Sequence, residues 1–319
     1  MLPIFFFLKN SSKKTMTMKL KLLCCHIGIF CLNIAAIYSQ PNMDSAVIKT
    51  IKIKDHIHML QWSGAGNMML LSGKDGNILI DDQFAPLSER INTAIQAISR
   101  GNVKFLFNTH HHGDHAGGNL NFAKMGATII AHANVRARLS GDSSKVKFSK
   151  TPKVEPMEAF PVMTFNEGMN VYLNTEDVLI FHVDNAHTDG DAVFYLPKSN
   201  VIHTGDCFMK DRFPFIDTNS GGSIIGWIKA VSKILAIIDD KTVIIPGHGD
   251  LANKKDYTNV RDAVVGLRDG VEKNIKTGQT LEQVLALKLS KDYDKTFGSG
   301  FIKGDALITT IFNELKGSK

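Results

Sequence analysis

The stretch Val103-Lys104-Phe105-Leu106-Phe107-Asn108-Thr109-His110-His111-His112-Gly113-Asp114-His115-Ala116-Gly117-Gly118 runs from a short apolar strand into a cluster of metal-ligating side chains. Residues two apart on an extended segment point the same way, so His110 and His112 can share one ion. Gly113 permits a sharp turn that aims Asp114 and His115 at a second, neighbouring site. Gly117-Gly118 then opens a helix, and His111, in the gap, is not expected to be a ligand. Imidazole nitrogens and carboxylate oxygens suit zinc, which takes about four ligands. The cluster alone cannot complete two sites.

Working outward, three later loops supply the missing ligands, each just past a strand-like run: Ala186-His187-Thr188, Gly205-Asp206-Cys207 and Gly247-His248-Gly249. His187 would complete a three-histidine site with His110 and His112. Asp114, His115 and His248 would hold the second ion, with Asp206 bridging or adjacent. A metal-lowered water pKa of about 7 would make hydroxide available at neutral pH, with Asp114 orienting it and passing a proton to the leaving group. No G-x-S-x-G nucleophile elbow is present. His203, before Thr204-Gly205-Asp206, reads as packed or supporting; His56, His58, His132 and His182 read as structural or exposed.

The periodicity around these loops predicts strands at 47–53, 56–62, 67–71, 77–80, 103–107, 127–131, 171–173, 178–183, 192–196, 201–204 and 243–245. Helices are expected over Leu87–Ile98, Ile224–Ile238 and Val260–Ile275. Thr280 with Gln283 resembles a capping box, and Leu307, Ile311 and Leu315 mark a last helix. Strands interleaved with helices, with no Pro/Gly/Ser-rich linker, argue for one α/β domain over 40–319, with 253–319 a helical C-terminal portion.

The ordered set of Asp81 after an apolar strand, the histidine run, His187, Asp206 and His248 resembles the metallo-β-lactamase superfamily over most of residues 46–252. The resemblance implies an α/β fold, a four-layer αβ/βα sandwich with two zinc ions per chain at one edge, and a metal-dependent hydrolase. β-Lactamase-like hydrolysis of a cyclic amide or ester is the first expectation. Cys207, followed by Lys210 at +3 and Asn219 at +12, matches the offsets at which such enzymes place a cysteine ligand and two substrate-binding side chains. The alternative is a glyoxalase II-like thioesterase or a lactonase, since Thr204-Gly205-Asp206 resembles that branch's bridging aspartate. Asp206 is preferred to Cys207 as the ligand. A protein that kept the fold and lost catalysis would lack ligands, and none is missing.

Charge narrows the partners. The formal net charge is +6, yet residues 1–39 hold five lysines and no acid, which leaves 32 basic against 31 acidic side chains. No basic stripe suggests a nucleic-acid partner, so a small-molecule substrate is expected. Lys19 and Lys21 followed by an apolar run from Leu22 to Tyr38 read as an export signal, with 1–39 including an over-extended start. The mature chain would be periplasmic or secreted, without stable membrane insertion. Cys24, Cys25 and Cys31 lie in that signal, leaving Cys207 alone, so no internal disulfide can hold the mature fold.

Overall fold

The computed structural model describes residues 43–62 and 65–317. The export segment, its three cysteines and the Gly64 turn lie outside the described residues. The first sheet contains β1 (Lys49–Lys54), β2 (Ile57–Gln61), β3 (Met68–Leu71), β4 (Asn77–Ile80), β5 (Val103–Asn108), β6 (Thr128–His132) and β7 (Met163–Phe165) in that spatial order. β1 to β4 pair antiparallel, and β4 to β7 pair parallel. The second sheet is β12 (Val243–Ile245), β11 (Val201–His203), β10 (Ala192–Leu196), β9 (Glu176–His182) and β8 (Gly168–Leu173), in that spatial order.

Alternation within each strand explains how these sheets layer. Met59, Ile78, Ile80, Phe107 and Ile130 point to the middle and meet Val178, Ile180, Phe194 and Leu196 of the second sheet. Their chain neighbours Leu60, Leu79, Leu106 and Ile129 point the other way. There they pack on α1 (Ser88–Ile98), through Ile91 and Ile95, and on Phe122, from the helix Asn119–Lys124. With both faces covered, the central strands read as continuous apolar runs rather than alternating ones. On the far side, Val193, Ile202 and Ile244 pack against Trp227 and Val231 and against Val260, Val264, Leu307 and Ile311. The chain is thus an αβ/βα sandwich, as the sequence predicts.

The remaining helices are α2 (Gly113–Ala116), α3 (Asn119–Lys124), α4 (Ala133–Ser140), α5 (Ile224–Ile237), α6 (Lys254–Lys276), α7 (Leu281–Ala286), α8 (Lys291–Phe297) and α9 (Gly304–Gly317). The Thr280/Gln283 capping box forms at the start of α7. Three elements escape the sequence reading: β7 is three residues of an edge strand, and α4 and α8 are short helices of mixed polarity. Gly113 also differs from expectation. It opens a helical turn without a left-handed φ, and the chain reverses because α2 begins there. No helix among the described residues is long and apolar enough to cross a membrane.

Candidate metal centre

The parallel pairs β4–β5 and β11–β12 end at the same edge of the sandwich, and the loops leaving those four strand ends carry most of the predicted ligands. Backbone hydrogen bonds tie the loops together. Asp81 N donates to Phe107 O at 2.7 Å, Ala192 N to Thr109 O at 2.8 Å, Asn67 N to Gly247 O at 2.7 Å and Gly247 N to Gly205 O at 2.8 Å. Glycine is required where backbones and ligands crowd. A Cβ on Gly247 would stand 2.0 Å from Asp206 Oδ1, and one on Gly66 would stand 2.4 Å from the His115 ring.

Three groups of ligating side chains gather among the described residues; one is His111 and His112 with Asp217, and the other two form the centre. His110, His112, His187 and Asp206 present ligand atoms to one another, as do Asp114, His115 and His248. Asp206 lies between them. Its Oδ1 is 3.2 Å from His115 Nε2 and 3.3 Å from His248 Nε2, while its Oδ2 is 3.6 Å from His187 Nε2. Asp114 Oδ2 is 3.3 Å from His248 Nε2 and 3.7 Å from His115 Nε2. Ligands about 2.1 Å from a tetrahedral centre lie roughly 3.4 Å apart, so these separations are those of a coordination shell.

The outward nitrogens decide what the inward ones can do. Asp81 is a strand-end residue at φ 62° whose carboxylate accepts from Thr109 N, Thr109 Oγ1 and His115 Nδ1 at 2.7 to 2.8 Å. With its proton given to Asp81, the Thr109 hydroxyl can only accept from His110 Nδ1, 3.0 Å away. His187 Nδ1 donates to Phe215 O at 2.7 Å, and His112 Nε2 to Asp217 Oδ2 at 2.9 Å. The remaining nitrogens of His110, His112 and His187 therefore turn a lone pair inward. His112 Nδ1 and His187 Nε2 face each other at 3.0 Å with no proton to share. His110 Nε2, His115 Nε2 and Asp206 Oδ1 are buried without a hydrogen-bond partner. Buried polar atoms left unpaired need an explanation, and a divalent cation in each group supplies one. The donor set fits zinc, and hydrogen bonds from the outer ring nitrogens to carboxylates and carbonyls are the usual support of metal-binding histidines.

Electrostatics agree. Burial, reinforced by the charge of neighbouring His115, drives His110 well below the usual histidine pKa, and burial takes His187 down to about 4, so both stay neutral. Burial disfavours a charged His115, yet the carboxylates of Asp206, Asp114 and Asp81 outweigh it and hold its pKa well above the ordinary value. Burial likewise opposes ionisation of Asp206, but His248 and His115 keep its pKa well below that of a free carboxylate.

Three predicted site residues are not brought to this centre. Cys207 is fully buried among apolar side chains, with Sγ 3.8 Å from Asp191 Oδ2, an oxygen that accepts from the His187 backbone N, and burial pushes its thiol pKa up. Within the 3-10 turn Gly205–Cys207, Asp206 is the side chain that joins a ligand group. Lys210 turns away to donate to Leu251 O at 3.0 Å, and it pairs with Asp256. Asn219 lines a separate polar pocket with His111, Arg138 and Lys150. His203 is buried between Asn67 O and Gly205 N, a supporting place as expected. Sequence reasoning missed Thr109, Asp217 and the Phe215 carbonyl. Thr109 could have been suspected as the residue joining strand to histidine run; the other two carry no spacing signal.

The open face of the centre is a cleft of about 310 Å³ lined by His112, Asp114, Asp206 and His248 below and by Met209, Arg212, Phe213 and Phe215 with Phe301 and Ile302 around it. That volume is at the low end for small-molecule sites, roughly 300–1,000 Å³.

Comparison with known proteins is consistent with this geometry. The family model described as "Metallo-beta-lactamase superfamily" matches residues 62–248. The chain is 24% identical over 210 residues to metallo-beta-lactamase IND-1 of Chryseobacterium indologenes, covering 62% of this chain and 80% of that one. It is 25% identical over 210 residues to a hydroxyacylglutathione hydrolase of Polaromonas sp., covering 63% and 70%. Among solved structures, the sec-alkylsulfatase Pisa1 of Pseudomonas sp. superposes with a TM-score of 0.64 at 16% identity, over 83% of this chain. The chain spans about half the length of that sulfatase, with 50% covered, and the likeness is one of fold.

Proposed function

The chain belongs to the metallo-beta-lactamase superfamily, and on that footing we propose that it is a metal-dependent hydrolase acting on a small ester, lactone or thioester. The observation that carries this reading is Asp206 between two ligand groups, one carboxylate oxygen toward each. A hard carboxylate suits that position between two zinc ions. Bound there, the cations would supply Lewis acidity and lower the pKa of water to about 7.

The chain's own side chains do the rest. His110, His112, His187 and Asp206 would hold one ion, and Asp114, His115, His248 and Asp206 the other. Asp114 Oδ2, at the cleft floor, orients the attacking water, takes its proton and delivers it to the leaving group. Phe213, Phe215 and Met209 keep bulk water from the reacting atoms. Asp81, Thr109, Asp217 and the Phe215 carbonyl fix the four histidine rings, so little reorganisation is needed during reaction. The lysines and apolar run of residues 19–38 support export to the periplasm or beyond.

A second reading, hydrolysis of a β-lactam, is favoured by the similarity to metallo-beta-lactamase IND-1. Against it, Cys207, Lys210 and Asn219 are not assembled at the cleft. A hydrolysis screen on the zinc-loaded protein separates the two. Turnover of acyl-homoserine lactones, S-lactoylglutathione or p-nitrophenyl esters, with nitrocefin and carbapenems left intact, is expected. Rapid nitrocefin turnover with inert esters would reverse the order, and no turnover of either class would remove the hydrolase reading.

A further inference from the structure

The rim of the cleft holds a charge and an apolar wall that the reaction itself does not require. Phe301 and Ile302 lie in the turn between α8 and α9, more than fifty residues past the end of the family match. Phe301 is 78% exposed, an unusual position for so large an apolar side chain. Its ring meets that of Phe215 edge-on at 6.0 Å, and the Phe215 ring in turn stacks over His112 at 6.1 Å. An aromatic path therefore runs from solvent to the ligand groups.

The turn is fixed in place. Phe213 N donates to Phe297 O at 3.0 Å, the two rings pack at 5.8 Å, and Lys303 Nζ donates to Gly298 O at 2.8 Å. Gly300 lies directly against the stem of Arg212, since a Cβ there would be 3.0 Å from its Cγ and Cδ. Arg212 borders both the main cleft and the adjoining one formed by Gln61, Trp62, Asn67 and Asp250. Among the described residues its guanidinium forms no ion pair with a carboxylate, in contrast to Arg138, which is held by Asp189. The acids lining the main cleft are Asp114 and Asp206, whose charge bound cations would offset. A loaded cleft would then be net positive, with a forked donor at its rim whose stem packs against Gly300. A guanidinium is shaped for carboxylate and similar planar or tetrahedral anions.

We infer that the cleft selects amphiphilic monoanions, with Arg212 holding the anionic group and Phe215, Phe301 and Ile302 holding a bulky apolar body. This deepens the functional reading and rests on it, because the cations set the sign of the cleft. It also explains why Lys210 is free to serve the α6 N-terminal region instead: the cation of the rim comes two residues later.

The test is calorimetric titration of the zinc-loaded protein with 4-phenylbutyrate, the isosteric neutral 4-phenylbutanamide and acetate. Wild type should bind phenylbutyrate at least about tenfold more tightly than either control, the margin a charge-assisted pair supplies. Arg212→Met should abolish the preference for carboxylate over amide, and Arg212→Lys should restore part of it. Phe301→Ala should weaken phenylbutyrate and phenylbutanamide alike, about threefold to tenfold on the apolar area removed, and leave acetate unchanged. Zinc content and thermal midpoint, measured on every variant, identify any that misfold; Arg212→Gln and Phe301→Ser then replace them. Survival of the carboxylate preference in Arg212→Met would show that the cations alone read the anion, which overturns the proposal. So would equal loss of acetate in Phe301→Ala. Hydrolysis is scored separately, so a protein that binds through Arg212 but cleaves no ester or amide defeats the functional reading alone.

Discussion

Asp217 illustrates how much of the centre depends on residues that never face it. Its Oδ2 accepts from His112 Nε2, while its Oδ1 caps the turn Thr218–Ser220 through the N–H groups of Asn219 and Ser220. Asp217→Ala frees the His112 ring to rotate and change tautomer, so zinc affinity should fall by roughly 10- to 100-fold. Competition with a chromophoric chelator measures this, and an unchanged affinity would mean that packing alone orients His112. A histidine away from the centre also contributes to the pH response. His132 stacks on His182 with ring centres 3.9 Å apart, and its Nδ1 caps α4 by accepting from Asn134 N. Burial, aided by the charge of His182, lowers its pKa to about 4, whereas the unfolded chain binds that proton near pH 6.5. Between those values the unfolded state holds more protons, so stability falls as pH drops. His132→Asn keeps a capping acceptor and should flatten the decline in unfolding midpoint between pH 6.5 and 4.5; an identical slope would contradict the assignment. The ligands themselves were legible in the sequence because ligating side chains at spacings of two, two and one after a strand have few other uses. Asp217 and Arg212 were not, because nothing local ties an isolated charge to a ring more than a hundred positions earlier in the chain or to a turn almost ninety positions later.

At the scale of elements, the centre depends on how closely two loops pass. The loop after β12 crosses the loop after β11 with Gly247 N donating to both Gly205 O and Phe208 O. Gly247→Ala would force its methyl into Asp206 Oδ1 and the Gly205 carbonyl carbon, at 2.0 and 2.7 Å. Because the second contact is backbone, side-chain movement cannot relieve it. The expected result is loss of the zinc shared through Asp206, with the far-ultraviolet circular dichroism of the sandwich retained; full zinc content in Gly247→Ala would contradict the crossing. Element positions were readable from sequence to the degree that both faces of a strand are buried. β10 and β12 begin and end where their apolar runs do. β7 and α8 were not, since an exposed edge strand ending in one buried residue and a short helix with one buried side chain carry almost no periodic signal.

For the molecule as a whole, the chemistry belongs to no single stretch. His110 to His115, His187, Asp206 and His248 stand at separate strand ends, and only the packing of two sheets face to face brings them to one edge. The fold and the centre are therefore one structure, and cations bound there would stabilise the native state over the unfolded chain. Sequence could offer two adjacent residues, Asp206 and Cys207, for the same duty, and only the three-dimensional turn between them separates the choices. Zinc content of purified wild type, Asp206→Ala and Cys207→Ala, measured by mass spectrometry after equilibration with excess zinc, tests that choice most directly. Two zinc ions per chain are expected in wild type and in Cys207→Ala, with at most one in Asp206→Ala. Two ions retained by Asp206→Ala, with one lost from Cys207→Ala, would contradict the account.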